Sequence, residues 1–98
     1  MQFTHLRDQL RFARLNLGIV SFPTDIDPIS MQEFIDEFDY ASRLPFTHVV
    51  LEILSNGGDC YSAFAAYDVI RDCPKPAIGF VLGCAASAAA MIVLQACS

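Results

Sequence analysis

Val49-Val50-Leu51-Glu52-Ile53-Leu54-Ser55-Asn56-Gly57-Gly58-Asp59 is the stretch that decides the fold. Val49 to Leu54 is almost continuously apolar over the length of one strand, as expected for a parallel strand covered on both faces. The diglycine that follows suits a turn at the strand end, where free backbone N–H groups can hold an oxyanion. One helix and one strand further on comes Gly83-Cys84-Ala85-Ala86-Ser87-Ala88, a serine at the start of a small-residue helix and hence a candidate nucleophile. Together the two segments point to acyl transfer.

Outward from this stretch the order reads arm, strand, helix, strand, helix, strand, helix. Met1 to Arg14 forms an N-terminal arm, and residues 15–98 form one α/β domain. Leu15 to Phe22 reads as the first strand, closed by Pro23. Asp27 is a good N-cap with Pro28 at the first helical position. Met31, Phe34, Ile35, Phe38 and Ala41 then recur at helical spacing to about Arg43. Leu44-Pro45 ends that helix. The next is expected from near Tyr61 to Asp72, with Phe64, Tyr67 and Ile70 on one face and Pro74 and Pro76 terminating it. Ala77 to Leu82 reads as a strand, and the alanine-rich segment after Gly83 as a helix. Such alternation implies βαβ units and a mainly parallel sheet. In these sheets ligands gather beyond the carboxyl ends of the strands, where Gly57-Gly58 and Ser87 both fall.

A serine nucleophile needs a base within hydrogen-bond reach and a group to orient it. The ordinary nitrogen bases here are His5, His48 and Lys75. His48 and Lys75 precede the strands whose far ends carry the Gly-Gly turn and Ser87. A six-residue strand separates its ends by about 20 Å, well beyond a hydrogen bond. His5 lies in the arm. The catalytic set is therefore expected to be incomplete. A hydrophobic share of 54% and a mean hydropathy of +0.42 in 98 residues agree with an incomplete domain whose apolar faces are covered by further sequence or other subunits. The end at Leu94-Gln95-Ala96-Cys97-Ser98 carries no Gly or Pro stop signal and reads as a truncation.

A net charge of −5 and a pI near 4.6 argue against a nucleic-acid partner, because no basic cluster exceeds the Arg7, Arg11, Arg14 series. Those arginines read as a solvated helix face. Cys60, Cys73, Cys84 and Cys97 show neither C-x-x-C spacing nor a companion histidine cluster, and are expected to be buried thiols in a reducing compartment. No metal or cofactor is implied. Arg7, Asp8, Arg11 and Arg14 interrupt any secretory signal. Ala77 to Cys97 is uncharged and long enough to span a bilayer, but it divides at Gly83 into a strand-length run and a weakly apolar helix, so a membrane span is not expected.

Leu-Ser-Asn-Gly-Gly, the helix ending Ala66-Tyr67-Asp68-Val69-Ile70, and Gly-Cys-Ala-Ala-Ser-Ala resemble, in order and spacing, the Clp protease proteolytic subunit. That family carries Ser-Pro-Gly-Gly, a helix with Ile-Tyr-Asp, and Gly-x-Ala-Ala-Ser-Met-Gly. The resemblance runs from about Leu15 to the end, the front half of the family's domain, and implies a truncated Clp/crotonase-like spiral of β-β-α and βαβ units. Carried over residue by residue, it makes Ser87 the nucleophile and the N–H groups of Gly58 and Ala88 the oxyanion hole. It has substrate polypeptide pairing with the backbone at Gly57 and Gly58. It puts the catalytic histidine and aspartate later than Ser98. It also implies a cytoplasmic homo-oligomeric ring and an AAA+ unfoldase as partner.

Asn56 replaces the family's proline, Asp59 stands where the family is usually apolar, and Ala88-Ala89 replaces Met-Gly. Asp59 is expected to cap the helix beginning near Tyr61. Three other readings remain: a signal-peptide-peptidase-like hydrolase, whose lysine base Lys75 is too distant to supply; a crotonase-like acyl-CoA enzyme; and a non-catalytic ring subunit. Without the diglycine, Ser87 would read as a packing residue. Tyr67 reads as core and Asp68 as surface. Phe34, Phe38 and Phe64 read as core or subunit contacts.

Overall fold

The computed structural model describes residues 5–97. Their order is α1 (Leu6–Leu15), β1 (Ile19–Ser21), α2 (Pro28–Ser42), β2 (Val49–Ser55), α3 (Cys60–Asp72), β3 (Ala77–Ala85), a π-helical turn (Ala89–Val93) and α4 (Leu94–Ala96). The three strands form one parallel sheet in the order β1-β2-β3, with β2 central. The α/β class and parallel sheet are those expected from the sequence.

The N-terminal half departs from expectation in one place. Residues 6–15 are helical, whereas the first four residues of the expected arm lie outside the described residues. Leu15, read as the start of a strand, is the buried last residue of α1. Asn16 caps that helix and Gly18, at φ +80°, turns the chain into a three-residue β1. The apolar run Leu15 to Phe22 thus holds a helix end and a short strand. Arg11 makes a bidentate pair with Glu37 of α2 at 2.9 and 2.7 Å, and Arg14 pairs with Glu52 of β2. These two arginines, read as a solvated face, fasten α1 to the body.

The start of α2 follows from its capping residues. Asp27 accepts from the Ser30 N–H at 2.8 Å while the Ser30 hydroxyl accepts from the Asp27 N–H at 3.1 Å, a reciprocal capping box. Its apolar stripe then buries Met31, Phe34, Phe38 and Ala41. Phe34 meets Phe22 edge-on at 4.9 Å and Phe38 at 5.8 Å between ring centroids. Val20, Val49, Leu51 and Ile53 from the sheet are fully buried in the same core, with Ala63, Ala66, Ala89 and Val93. Small side chains on α3 and the last helix let these two elements approach closely. Phe64, expected in a core or contact, is half exposed, Tyr67 packs against the core, and Asp68 is exposed. α3 stops before Cys73, its C-cap, whose extended backbone is the one a residue preceding proline favours.

β3 is three residues longer than the sequence suggests. Val81 pairs with Ile53, yet the next pairing is Ala85 with Ser55, so Leu82, Gly83 and Cys84 oppose Leu54 alone. This bulge needs the φ of +80° that Gly83 supplies, so Gly83 kinks the strand where it reads as a break. The cysteine expectation needs a parallel correction. All four are free thiols, but Cys60 and Cys84 are exposed and Cys73 and Cys97 only partly covered. Cys97 packs over Gly79 of β3, and burial raises its thiol pKa. No helix among the described residues is long and apolar enough to cross a membrane.

Candidate active site

Three loops leave the carboxyl end of the sheet and are sewn together by backbone hydrogen bonds. Ile26, after β1, donates to the Gly57 carbonyl at 2.8 Å and accepts from the Asp59 N–H at 2.9 Å. Asn56 donates to the Thr24 carbonyl at 2.9 Å, and Ala86 to the Ser55 carbonyl at 3.0 Å. The Gly57-Gly58 turn is thereby held between the β1 loop on one side and the segment carrying Ser87 on the other.

Ser87 sits on the turn between β3 and the last helix with φ +52°, the one non-glycine among the described residues at positive φ. Left-handed backbone at a serine costs about 1–2 kcal/mol, and such strain clusters at sites that need a side chain aimed in a set direction. The residue is exposed, although Ala88 and Ala89 beside it are buried. Gly57 lies hard against this turn. A Cβ there would be 2.7 Å from the Ala86 carbonyl oxygen, 2.8 Å from Ser87 Cβ and 3.2 Å from Ala88 N. The chain brings Gly57 and Ser87 together as the sequence suggested.

The direction of two backbone donors follows from peptide planarity. In a trans peptide the C=O and the next N–H point opposite ways. The Gly57 carbonyl points at Ile26, so the Gly58 N–H points away from Ile26, toward the open side of the turn. The Asp59 N–H also points at Ile26, so the Gly58 carbonyl shares that open side. The Ser87 carbonyl accepts from Met91 N at 2.9 Å within the last helix, which leaves the Ala88 N–H pointing out of the helix start. Neither donor has an acceptor among the described residues. The π-helical turn follows directly, a helix type frequent at functional sites.

The glycines also answer to internal packing. A Cβ on Gly58 would lie 2.2 Å from the Ile26 carbonyl oxygen, so the close neighbour that requires glycine at this position belongs to the chain itself. Asp59 caps α3 as expected, accepting from the Ser62 hydroxyl at 2.6 Å and the Ser62 N–H at 3.0 Å. The Ser62 hydroxyl first, then the Ser62 and Tyr61 backbone amides, hold its carboxyl below the usual carboxylate value. A depressed folded-state pKa gives stability that is present above the unfolded value and lost as pH falls through the folded one. Asp59→Asn, which keeps a capping oxygen and loses the charge, is therefore expected to lower thermal stability at neutral pH. That difference should begin to shrink as the pH falls below about 4 and vanish only once the pH is below the depressed folded-state value.

The nitrogen bases are elsewhere. His48 and Lys75 lie at the opposite end of the sheet, where His48 Nδ1 is 2.6 Å from the Thr47 hydroxyl and Lys75 donates to the Leu44 carbonyl. His5 opens α1, which packs on β1, two strand spacings of about 4.8 Å from β3. Among the described residues no group of three or more metal-ligating side chains forms. Ser55 and Ile26 hold the turn; the sequence marks Ser55 only as a member of the Ser-Asn-Gly-Gly motif, with no role of its own, and does not mark Ile26 at all. A serine before Asn-Gly-Gly reads as ordinary turn chemistry, and Ile26 acts through its backbone.

No curated protein matches the chain. Among solved structures it is similar to the ClpP protease catalytic domain from Plasmodium falciparum, at 17% identity and a TM-score of 0.88, over 100% of this chain and 56% of that one. The chain thus spans little more than half the length of that structure. At this identity the likeness speaks for the fold. Kinship is carried by the sequence itself, which matches the Clp protease family over residues 7–98, eight residues further toward the N-terminus than the motifs alone reach. The chain belongs to the Clp protease family.

Proposed function

We propose that these residues form the nucleophile half of a serine-type endopeptidase of the Clp proteolytic-subunit kind. Ser87 attacks the peptide carbonyl, and the N–H groups of Gly58 and Ala88 take up the negative charge that develops on its oxygen. The backbone of Gly57 and Gly58 pairs with an extended, unfolded polypeptide, for which the free N–H and carbonyl of Gly58 on one side of the turn are suited. One observation carries this reading: an exposed serine at φ +52° packed against a diglycine whose second amide points away from its own neighbours. An alanine-rich helix needs no such conformation for packing.

The general base and its orienting carboxylate come from outside these residues, and turnover belongs to the full-length protein, assembled as a homo-oligomeric ring in the cytoplasm and fed by an AAA+ unfoldase. Family membership supports the ring and the unfoldase. A lysine base drawn from this chain is disfavoured by the engagement of Lys75 with Leu44 at the far end of the sheet.

Treatment of the full-length protein with a fluorophosphonate or β-lactone tests the assignment. One label per subunit is expected on Ser87, with none on Ser87→Ala. Full labelling of Ser87→Ala, or competition by acyl-CoA in place of peptide, would move the assignment to another residue or to a crotonase-like activity.

A further inference from the structure

Ser55 is 2% exposed, and its polar groups reach all three loops of the site. Its hydroxyl donates to the Thr24 carbonyl at 3.3 Å and accepts from the Gly57 N–H at 3.2 Å. Its own carbonyl accepts from Ala86 N, one residue before Ser87. The β1 loop, the diglycine turn and the nucleophile turn are therefore indexed to one residue. The turn itself has little intrinsic stiffness, because Gly57 and Gly58 at φ +91° and +144° can populate wide regions of backbone space. Its orientation is set by its hydrogen bonds. Two of them run to the Ile26 backbone and one, from the Asn56 N–H, to the Thr24 carbonyl, whereas the Gly57 N–H is held by a side chain, the Ser55 hydroxyl.

We propose that Ser55 is a positioning residue that aims the Gly58 N–H at the substrate oxyanion by fixing the Gly57 peptide from beneath. This rests on the peptidase reading above. The hydroxyl touches no substrate. It fixes the plane of the Asn56–Gly57 peptide, and the bond from Ile26 to the Gly57 carbonyl fixes the next plane, so together they set the direction of the Gly58 amide. Misaim of an oxyanion donor by a fraction of an ångström weakens the transition state more than the ground state.

The test uses full-length protein, a fluorogenic peptide and a peptide boronic acid, whose tetrahedral adduct places an oxyanion in the site. Ser55→Ala is expected to lower kcat on the order of ten- to a hundredfold with KM nearly unchanged, and to weaken boronate inhibition by the same factor. Ser55→Cys, slightly larger than serine but with most of the acceptor strength lost, should behave likewise, and Ser55→Thr should recover most of the activity. Amide hydrogen exchange at Gly57 should quicken at least about tenfold in Ser55→Ala, a readout independent of turnover. A lowered melting temperature with kcat and boronate affinity preserved would overturn the proposal, as would equal losses in KM and kcat. Wild-type protein with no Ser87-dependent turnover would overturn the peptidase reading and this inference together, whereas normal wild-type turnover with a fully active Ser55→Ala would sink this inference alone.

Discussion

Gly58→Ala is expected to disrupt the carboxyl end of the sheet more than any other single-methyl change in the chain. The added Cβ would meet the Ile26 carbonyl oxygen at 2.2 Å and the Ile26 nitrogen at 3.0 Å, both backbone atoms with no rotamer to escape into. The alanine would in addition have to hold φ +144°, a region essentially reserved for glycine. Overpacking costs about 1–3 kcal/mol and backbone strain of this kind a similar amount again, so a loss of about 2–6 kcal/mol is expected. The chain relieves it by breaking the two bonds between Ile26 and the turn. Gly57→Ala should follow closely, since its Cβ would strike the Ala86 carbonyl and Ser87. Thermal unfolding with and without the substitutions checks the magnitude. A drop in melting temperature under about 2 °C for Gly58→Ala would mean that the turn is not packed as described.

Ser87→Gly has the second large effect, and its two readouts move in opposite directions. Glycine adopts φ +52° without a Cβ penalty, so removal of the serine relieves about 1–2 kcal/mol of strain, set against up to about 1 kcal/mol of added chain entropy. Stability should hold or rise slightly. Peptide turnover by the full-length protein should fall by at least about a thousandfold, because the nucleophile is gone and only binding and the oxyanion donors remain. A serine kept for packing would give the reverse pattern: a loss of stability with turnover intact.

How much of this was legible beforehand varied with the kind of signal. The capped helix α2 was readable because Asp27, Pro28 and the stripe from Met31 to Ala41 all favour the same local structure. β2 and α3 were readable for similar reasons, and Asp59 falls where a cap is needed. Leu15 to Phe22 misled because a helix end followed by glycine and a short strand has the same apolar profile as one longer strand. Gly83 misled because a kink and a break use the same residue. The pairing of Gly57-Gly58 with Ser87 was anticipated from topology, since both follow parallel strands. The roles of Ile26 and Ser55 were not, because one acts through its backbone and the other through a hydrogen bond to a residue two positions away. Periodicity encodes neither.

The most direct test of the central claim is a crystal structure of the full-length protein with a peptide boronic acid. The account predicts a covalent bond from Ser87 Oγ to boron, with one boronate oxygen about 2.7–3.1 Å from both the Gly58 and the Ala88 nitrogens. Boron bonded to another residue, or an adduct on Ser87 whose oxygens lie away from both amides, would contradict it.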